Sequence, residues 1–185
     1  MSELTFSQPE RRSFLTPALI VAAVVAVAFA LIYFFTPHSI AVLSVTNTAI
    51  VPEHTVFKSN SMVVGSDQVQ DDLYVLATVR VTDKLKLPLF IKDITGTLTT
   101  DQGDTTVSAV EKADLPNLYT TFPNIKPFAG PPLLRESSID PGQSAEGMVL
   151  LHFLVDKPTW DNRKSAVVII DFYHQGPLPV TIPKP

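Results

Sequence analysis

Residues 72–82 read DLYVLATVRVT, an alternation of apolar and mixed side chains that decides the fold. Leu73, Val75 and every second residue up to Val81 are apolar, whereas the residues between them vary in polarity. A period of two is typical of a β-strand that turns one face towards a core. We therefore predict a strand over Asp72–Thr82 with one buried face.

Short segments of the same kind occupy most of the chain after Ile40. The predicted strands are Ala41–Thr46, Ile50–Phe57, Asp72–Thr82, Ile91–Thr100, Thr105–Val110, Ala145–Val155, Ala166–His174 and Leu178–Ile182. The polar run Asp101–Asp104 predicts a hairpin. Ala145–Val155 and Ala166–His174 are the most hydrophobic, which predicts central positions, whereas the prolines around Leu178–Ile182 favour a sheet edge. About seven or eight short strands without a clear amphipathic helix indicate an all-β, immunoglobulin-like β-sandwich.

One long connection departs from this pattern. Residues 113–138 include the prolines between Pro116 and Pro132, and the segment is too long for an ordinary turn. Asp114, followed closely by Pro116, predicts one helical turn with Asp114 as its cap. We expect the rest of this proline-rich loop to be ordered but irregular.

The N-terminal part of the chain contains an uncharged apolar run, Phe14–Phe35. A helix needs about 20 such residues to cross the hydrocarbon core of a bilayer. Arg11 and Arg12 precede the run, and the next lysine or arginine after it is Lys58. Because cytoplasmic flanks carry the excess of Lys and Arg, we predict a cytoplasmic tail at 1–13, a transmembrane helix at 14–36 and a periplasmic or extracellular domain at 37–185. The chain is thus predicted to be a single-pass protein of the cell membrane with a signal anchor.

A cleaved signal peptide is the alternative to a permanent anchor, and it would give a secreted protein. Both Ala28–Ala30 and Ser39–Ala41 have the small-x-small pattern of a cleavage site. The uncut anchor is favoured because the apolar region of a signal peptide usually has only about 7–15 residues. The domain is exported under both alternatives.

The composition excludes several kinds of function. The 185 residues contain 14 Lys and Arg against 18 Asp and Glu, a net charge of −4. An acidic chain without a basic stripe does not favour nucleic acid as a partner. There is no cysteine, which excludes disulfides, thiolate metal sites and a cysteine nucleophile.

No group of residues has the spacing of a catalytic, cofactor or metal site. The histidines His38, His54, His152 and His174 are isolated in the sequence, whereas a metal site typically uses a pair such as H-x-x-x-H. His152 and His174 lie on strands that we expect to be neighbours, which allows a cross-strand pair. We predict a protein that is not an enzyme and has no cofactor or metal.

Several segments together resemble a known group of proteins. They are the apolar run Phe14–Phe35, the alternating strand Asp72–Thr82, the stretch ITGTL at 94–98, and Ile139–Gly147, where Pro-Gly leads into an apolar strand. This combination resembles uncharacterised bacterial single-pass membrane proteins with an immunoglobulin-like or late-embryogenesis-abundant-like sandwich. The resemblance implies this fold and an exported, tethered domain, and it brings no catalytic residues. The proline-rich loop lies outside the shared pattern.

The proline-rich loop is the segment that we most expect to bind a partner. Its aromatic and large apolar candidates are Tyr119, Phe122, Phe128, Leu133 and Leu134. The prolines keep the segment extended and limit the entropy that is lost on binding. Trp160, the sole tryptophan, is a further candidate because tryptophan anchors interfaces. The alternative is that the loop and Trp160 fold back and close the ends of the sandwich.

These observations favour a membrane-tethered, extracytoplasmic interaction module, such as an accessory subunit of a cell-envelope complex with a protein partner. A second hypothesis is a sandwich that binds a small ligand, lipid or glycan. A cavity lined by Phe122, Phe128 and Trp160 would favour the second hypothesis, and a solid core would argue against it.

Overall fold

The computed structural model describes residues 15–35, 39–57 and 68–184, with side chains over 17–33, 39–55 and 70–184. The chain forms two compact units that divide between His38 and Ser39. The tail predicted at 1–13 lies outside the described residues.

The first unit contains one helix, α1, at Leu15–Phe35. Alanine and leucine, which are strong helix formers, are frequent in it. The described side chains of α1, at 17–33, are uncharged and exposed. A helix is therefore present where the sequence predicts one. Within the described part of the chain, no helix has the length and apolarity needed to cross a membrane.

The second unit is strand-rich and consists of two antiparallel sheets, which confirms the predicted all-β sandwich. The strands are β1 Ala41–Phe57, β2 Gln68–Asp83, β3 Leu89–Thr100, β4 Gly103–Ser108, β5 Ser138–Ile139, β6 Ser144–Phe153, β7 Ser165–Phe172 and β8 Leu178–Thr181. The helical segments are α2 Leu115–Thr121, a 3₁₀ helix at Pro123–Phe128, and α3 Lys157–Asp161. The first sheet has the strand order β1-β2-β6. The second has the order β4-β3-β7-β8, and β5 pairs with the start of β3.

The main core lies between the two sheets and is built from alternating residues. On β2 the alternating apolar residues from Leu73 to Val81 are fully buried, as predicted. On the second sheet, Ile94, Val168 and Ile170 belong to the same buried cluster. Each such side chain contributes about 1.5–3 kcal/mol through its burial, so this layer stabilises the sandwich.

Two strands differ from their predictions. The segments predicted as separate strands at Ala41–Thr46 and Ile50–Phe57 form one strand, β1, with a register shift between Val45 and Asn47. This bulge interrupts the alternation and explains the misreading. The predicted central strand Ala145–Val155 corresponds to β6, which lies at the end of the strand order of its sheet. By contrast, β7 is internal, β8 is an edge strand and the hairpin at Asp101–Asp104 joins β3 to β4, all as predicted.

The proline-rich loop folds over the outer face of the first sheet. Leu115 of α2 and Ile125 of the 3₁₀ helix are buried there against Tyr74 and Leu150 in a second apolar cluster. Asp114 is the residue before α2, as predicted, but its side chain makes no capping hydrogen bond. The loop therefore adds a third layer to the sandwich over this face.

One end of the sandwich is closed by α3. The side chain of Asp156 accepts a hydrogen bond from the N–H of Thr159 and caps this helix. Trp160 is fully buried, 6.0 Å from the ring of Phe153, and the guanidinium of Arg163 lies 4.2 Å from the tryptophan ring centre. A residue that the sequence singled out as a possible contact is thus part of the main core.

Candidate functional site

The second half of the proline-rich loop runs along the free edge of β6. The N–H of Met148 donates to the carbonyl of Pro131 at 2.7 Å, and the N–H of Leu133 donates to the carbonyl of Met148 at 2.9 Å. Gly147 permits this approach, because a Cβ atom there would lie 2.5 Å from the nitrogen of Leu133. The loop thereby covers the edge of β6, which no further strand among the described residues covers.

A groove of about 870 Å³ lies beside this segment. Three segments of the chain form its walls. They meet at the edge of β3, between the residues that pair with β5 and those that pair with β4. They are Lys92–Ile94 of β3, Ala109–Ala113 with Pro116, and Leu133–Glu136 of the loop. The groove follows from the topology, because neither short strand covers the middle of the β3 edge.

The backbone at the floor of the groove is irregular. The register of β3 shifts between Ile91 and Asp93. On one side the N–H of Ala109 donates to the carbonyl of Ile94 at 2.9 Å, and on the other the N–H of Glu136 donates to the carbonyl of Ile91 at 2.8 Å. Glu136 has a φ of 57°, a left-handed conformation that few residues other than glycine adopt and that costs conformational energy. Strained backbone of this kind is often found at functional sites.

Arg135 ties the walls of the groove together. Its Nε lies 3.1 Å from Oδ1 of Asp93, its Nη1 donates to Oε1 of Glu111 at 2.9 Å, and its Nη2 donates to the carbonyl of Ala109 at 2.9 Å. The planar guanidinium can serve three acceptors at once, which a lysine cannot do in the same geometry. Because its donors already bind these three acceptors, Arg135 holds the walls of the groove in place and does not present an unpaired positive charge to a ligand.

The lining of the groove combines apolar and charged side chains. Val110, Leu133 and Leu134 supply apolar surface, and charged residues of both signs surround them. The lining contains no histidine, serine or aromatic side chain.

The structure separates the residues that the sequence proposed as one contact surface. Leu133 and Leu134 line the groove. Tyr119 and Phe122 are partly buried against the outer face of the first sheet, and Phe128 is 55% exposed but lies outside the groove lining. The loop thus covers the sheet with its first half and walls the groove with its second.

The cavity expected for a ligand-binding sandwich is not the one that forms. Trp160 belongs to the main core and Phe122 to the cluster under the loop, so the two lie in different clusters. Neither they nor Phe128 line the groove. Full burial also leaves Trp160 no exposed surface with which to contact a partner.

A second polar cluster lies at the outer face of the first sheet. His152 Nε2 is 2.6 Å from Oδ1 of the buried Asp72, and the imidazole stacks on the ring of Tyr74 at 4.6 Å. Burial, followed by the nearby charges of Asp72 and Glu53, raises the pKa of Tyr74 to about 12. Within the described residues, no three His, Cys, Asp or Glu side chains are placed to hold a metal ion.

The prediction that His152 and His174 could form a cross-strand pair is wrong. β6 and β7 belong to different sheets, so the two histidines do not face each other across neighbouring strands. His174 lies after the end of β7 and has a φ of 61°. The partner of His152 in the structure is Asp72 on β2. Both side chains lie on the outer face of the first sheet, so the pair could have been predicted had the strand order been known.

Sequence analysis missed the residues that form the groove. Asp93, Glu111 and Arg135 belong to segments far apart in the chain, and none of them forms a local motif. The one available signal was the length of the proline-rich loop, since long ordered loops are often functional.

Comparisons with known proteins add little. No protein-family model matches the chain, and no curated protein matches it. Among solved structures, the X-ray structure of Northeast Structural Genomics Consortium target SoR45 is similar at a TM-score of 0.31 and 6% identity, covering 74% of this chain and 82% of that chain. A likeness at that TM-score carries no argument about fold or function.

Proposed function

We propose that the protein is a non-catalytic, membrane-tethered interaction module whose immunoglobulin-like sandwich lies outside the cytoplasm. In this proposal the groove at Arg135 binds an extended segment of a partner protein. The groove is the observation that carries the proposal. The partner would belong to the cell envelope, with this chain as an accessory subunit.

The size and lining of the groove support a peptide segment as the ligand. Binding sites for small and extended ligands commonly have volumes of about 300–1,000 Å³, and this groove lies within that range. Along one wall the apolar Leu133 and Leu134 are followed by the charged Arg135 and Glu136, which suits a segment that presents both apolar and charged groups. A glycan would favour an aromatic platform, and a lipid tail would favour walls with fewer charges.

The walls of the groove are held in place before any partner binds. The loop is fixed to the β6 edge through Leu133 and Met148, and Arg135 links it to Asp93 and Glu111. A preformed site loses less conformational entropy on binding than a flexible loop does. A modest interface is therefore sufficient for recognition.

The tether is supported by the N-terminal unit. The described side chains of α1 are exposed on every face and uncharged. In the sequence, Phe14 to Thr16 precede these residues and Phe34 and Phe35 follow them, which extends the uncharged run to about the 20 residues of a bilayer span. A tether confines the sandwich to a membrane surface and raises its effective concentration for partners there.

The tether and its topology are tested on the full chain in native membranes. We expect the protein to remain in the membrane fraction after alkaline carbonate extraction, and a peptide containing Met1 to be found in the mature protein by mass spectrometry. Release by carbonate would contradict the tether. A mature N-terminus after Ala30 or Ala41 would show a cleaved signal peptide instead.

The binding groove is tested by a matched pair of loop variants. Leu134 is 39% exposed inside the groove and Phe128 is 55% exposed outside it, so both tolerate a charged side chain without unfolding the core. After purification in mild detergent, we expect Leu134→Asp to lose a protein that the native chain and Phe128→Asp both retain. Equal partner sets for the two variants would rule out the groove as the contact surface.

A further inference from the structure

The strands bring one end of the sandwich together around the start of β1. Ala41 pairs with Asp83, and the N–H of Lys84 donates to the carbonyl of Ile40 at 3.0 Å. At the same end the N–H of Tyr173 donates to the carbonyl of Phe90 at 3.0 Å. We call this region the β1 end. It comprises Ser39–Ile40, Lys84–Phe90, Asp140–Gln143 and Tyr173–Pro177.

Exposed apolar side chains concentrate at the β1 end. Of the seven large apolar side chains that are exposed on the described sandwich, three lie here, Leu87, Phe90 and Tyr173, and a fourth, Val42, lies two positions beyond Ile40 on β1. Leu87, in the connection between β2 and β3, is 73% exposed. Single exposed apolar residues are normal, but a group at one end of a domain marks a surface that contacts something apolar.

The connection that carries Leu87 is held in shape by the sandwich. The buried Asp83 accepts a hydrogen bond from the N–H of Leu85 through its Oδ1 at 2.7 Å. Leu85 packs partly against the main core, which leaves Leu87 as the exposed leucine of the connection. The exposure of Leu87 is thus a fixed feature of the fold.

The charges at this end suit a lipid surface with anionic headgroups. Lys84 and Lys86 flank the tip, both are exposed, and no ion pair within the described residues involves either of them. The exposed carboxylate at this end is Asp140. Aromatic rings and lysines beside exposed leucine are the composition of segments that lie in a membrane interface.

The position of this end in the sequence identifies the occupant. α1 ends at Phe35 and β1 begins at Ala41, so the β1 end is the part of the sandwich that the chain enters directly after the apolar helix. A partner protein could cover any face, but only residues 36–40 separate the two in the sequence, so a bilayer that held α1 would lie within reach of the β1 end.

We infer that the β1 end rests on the surface of the membrane, with Leu87, Phe90 and Tyr173 in the interfacial layer and Lys84 and Lys86 among the lipid headgroups. This inference depends on the tether proposed above. It orients the domain so that its opposite end, with the β3–β4 turn, points away from the bilayer.

The absence of cysteine makes the inference testable with single labels on the full chain. The variants Leu87→Cys and Tyr173→Cys report on the β1 end, Gln102→Cys reports on the opposite end, and Val24→Cys reports on α1. Each carries an environment-sensitive fluorophore in nanodiscs of phosphatidylcholine and phosphatidylglycerol that include lipids with a quencher at the top of the acyl chain for positions 87, 102 and 173, or at the end of the acyl chain for position 24, which is the middle of the apolar run. We expect quenching at 87 and 173 to exceed quenching at 102 by several-fold.

The label on α1 separates the possible failures. Quenching at 24 with none at 87 and 173 would overturn the inference and leave the tether intact. No quenching at 24 would overturn the tether and the inference together. As a further check, Lys84→Gln with Lys86→Gln should reduce the quenching at 173 in anionic nanodiscs and leave it unchanged in neutral ones. An equal effect in both lipids would contradict the role given to the two lysines.

Discussion

The backbone N–H of Leu133 donates to the carbonyl oxygen of Met148 at 2.9 Å. This bond fixes the proline-rich loop to the free edge of β6 and places Leu134 and Arg135 in the wall of the groove. The loop therefore has two roles, and neither is the closing of an end of the sandwich that the sequence allowed as an alternative. It covers the sheet, and it builds the surface that we propose for binding.

Gly147 tests this attachment. In Gly147→Ala the new Cβ would lie 2.5 Å from the nitrogen of Leu133 and 2.6 Å from its Cα, so the loop backbone must move. We expect the free energy of unfolding in urea to fall by about 1–3 kcal/mol, the usual range for overpacking. Gly176→Ala is the matched control, because nothing lies within 4 Å of its added Cβ. Equal stabilities for the two variants would show that the loop is not held against β6.

Arg135 tests the shape of the groove. Arg135→Ala removes the link between Asp93, Glu111 and the carbonyl of Ala109. We expect a loss of about 1–2 kcal/mol in the free energy of unfolding, because the side chain is only 27% exposed and holds several bonds. Arg135→Lys should recover less than half of it. Faster amide hydrogen exchange over residues 109–113 would locate the effect in the groove wall, and unchanged exchange there would argue against the proposed link.

Arg163 tests the closed end of the sandwich. Its guanidinium is buried over Trp160 and donates to the carbonyls of Trp160 and Pro183 at 3.0 and 2.9 Å. Burial lowers the pKa of this group. Arg163→Ala removes these two hydrogen bonds and the packing of the guanidinium on Trp160, so we expect a loss of about 1–3 kcal/mol, measured by the fluorescence of Trp160 during urea unfolding. The exposed neighbour Lys164 gives the control, and Lys164→Ala should change stability by less than about 0.5 kcal/mol.

Much of the sandwich could be predicted from the sequence, because alternating residues along its strands are buried and therefore apolar. The alternation from Leu73 to Val81 and the turn at Asp101–Asp104 are local signals, and both were interpreted correctly. The bulge after Val45 was missed, because an inserted residue breaks the alternation without any distinctive residue type. The edge position of β6 was also missed, since both of its faces are apolar: Val149 and Leu151 lie in the main core, and Met148 and Leu150 lie in the cluster under the loop.

Less of the candidate site than of the fold could be predicted from the sequence. Leu133 and Leu134 were chosen for their place in a long loop, and they do line the groove. Arg135 and Asp93 acquire their roles only through contacts between distant segments, which no local pattern encodes. Trp160 was chosen by residue type alone, and the preference of tryptophan for interfaces did not distinguish it from a core residue.

The outer face of the first sheet makes a prediction about alkaline pH. The pKa of Tyr74 is raised from 10.0 to about 12, first by burial and then by Asp72 and Glu53. Because the folded state favours the neutral phenol, this contribution to stability is complete below pH 10 and is lost as the pH rises towards 12. Between these values we expect the free energy of unfolding to fall less steeply in Tyr74→Phe than in the native chain. Parallel pH curves for the two proteins would contradict the burial of this hydroxyl.

The most direct test of the account asks what lies in the groove in native membranes. A photo-crosslinking amino acid at Leu134 of the full chain is compared with the same amino acid at Gln102 on the far turn, and the adducts are sequenced by mass spectrometry. We predict that Leu134 yields adducts with one continuous segment of one membrane or envelope protein and that Gln102 does not. The same scattered adducts from both positions, or none from Leu134, would contradict a partner-binding groove.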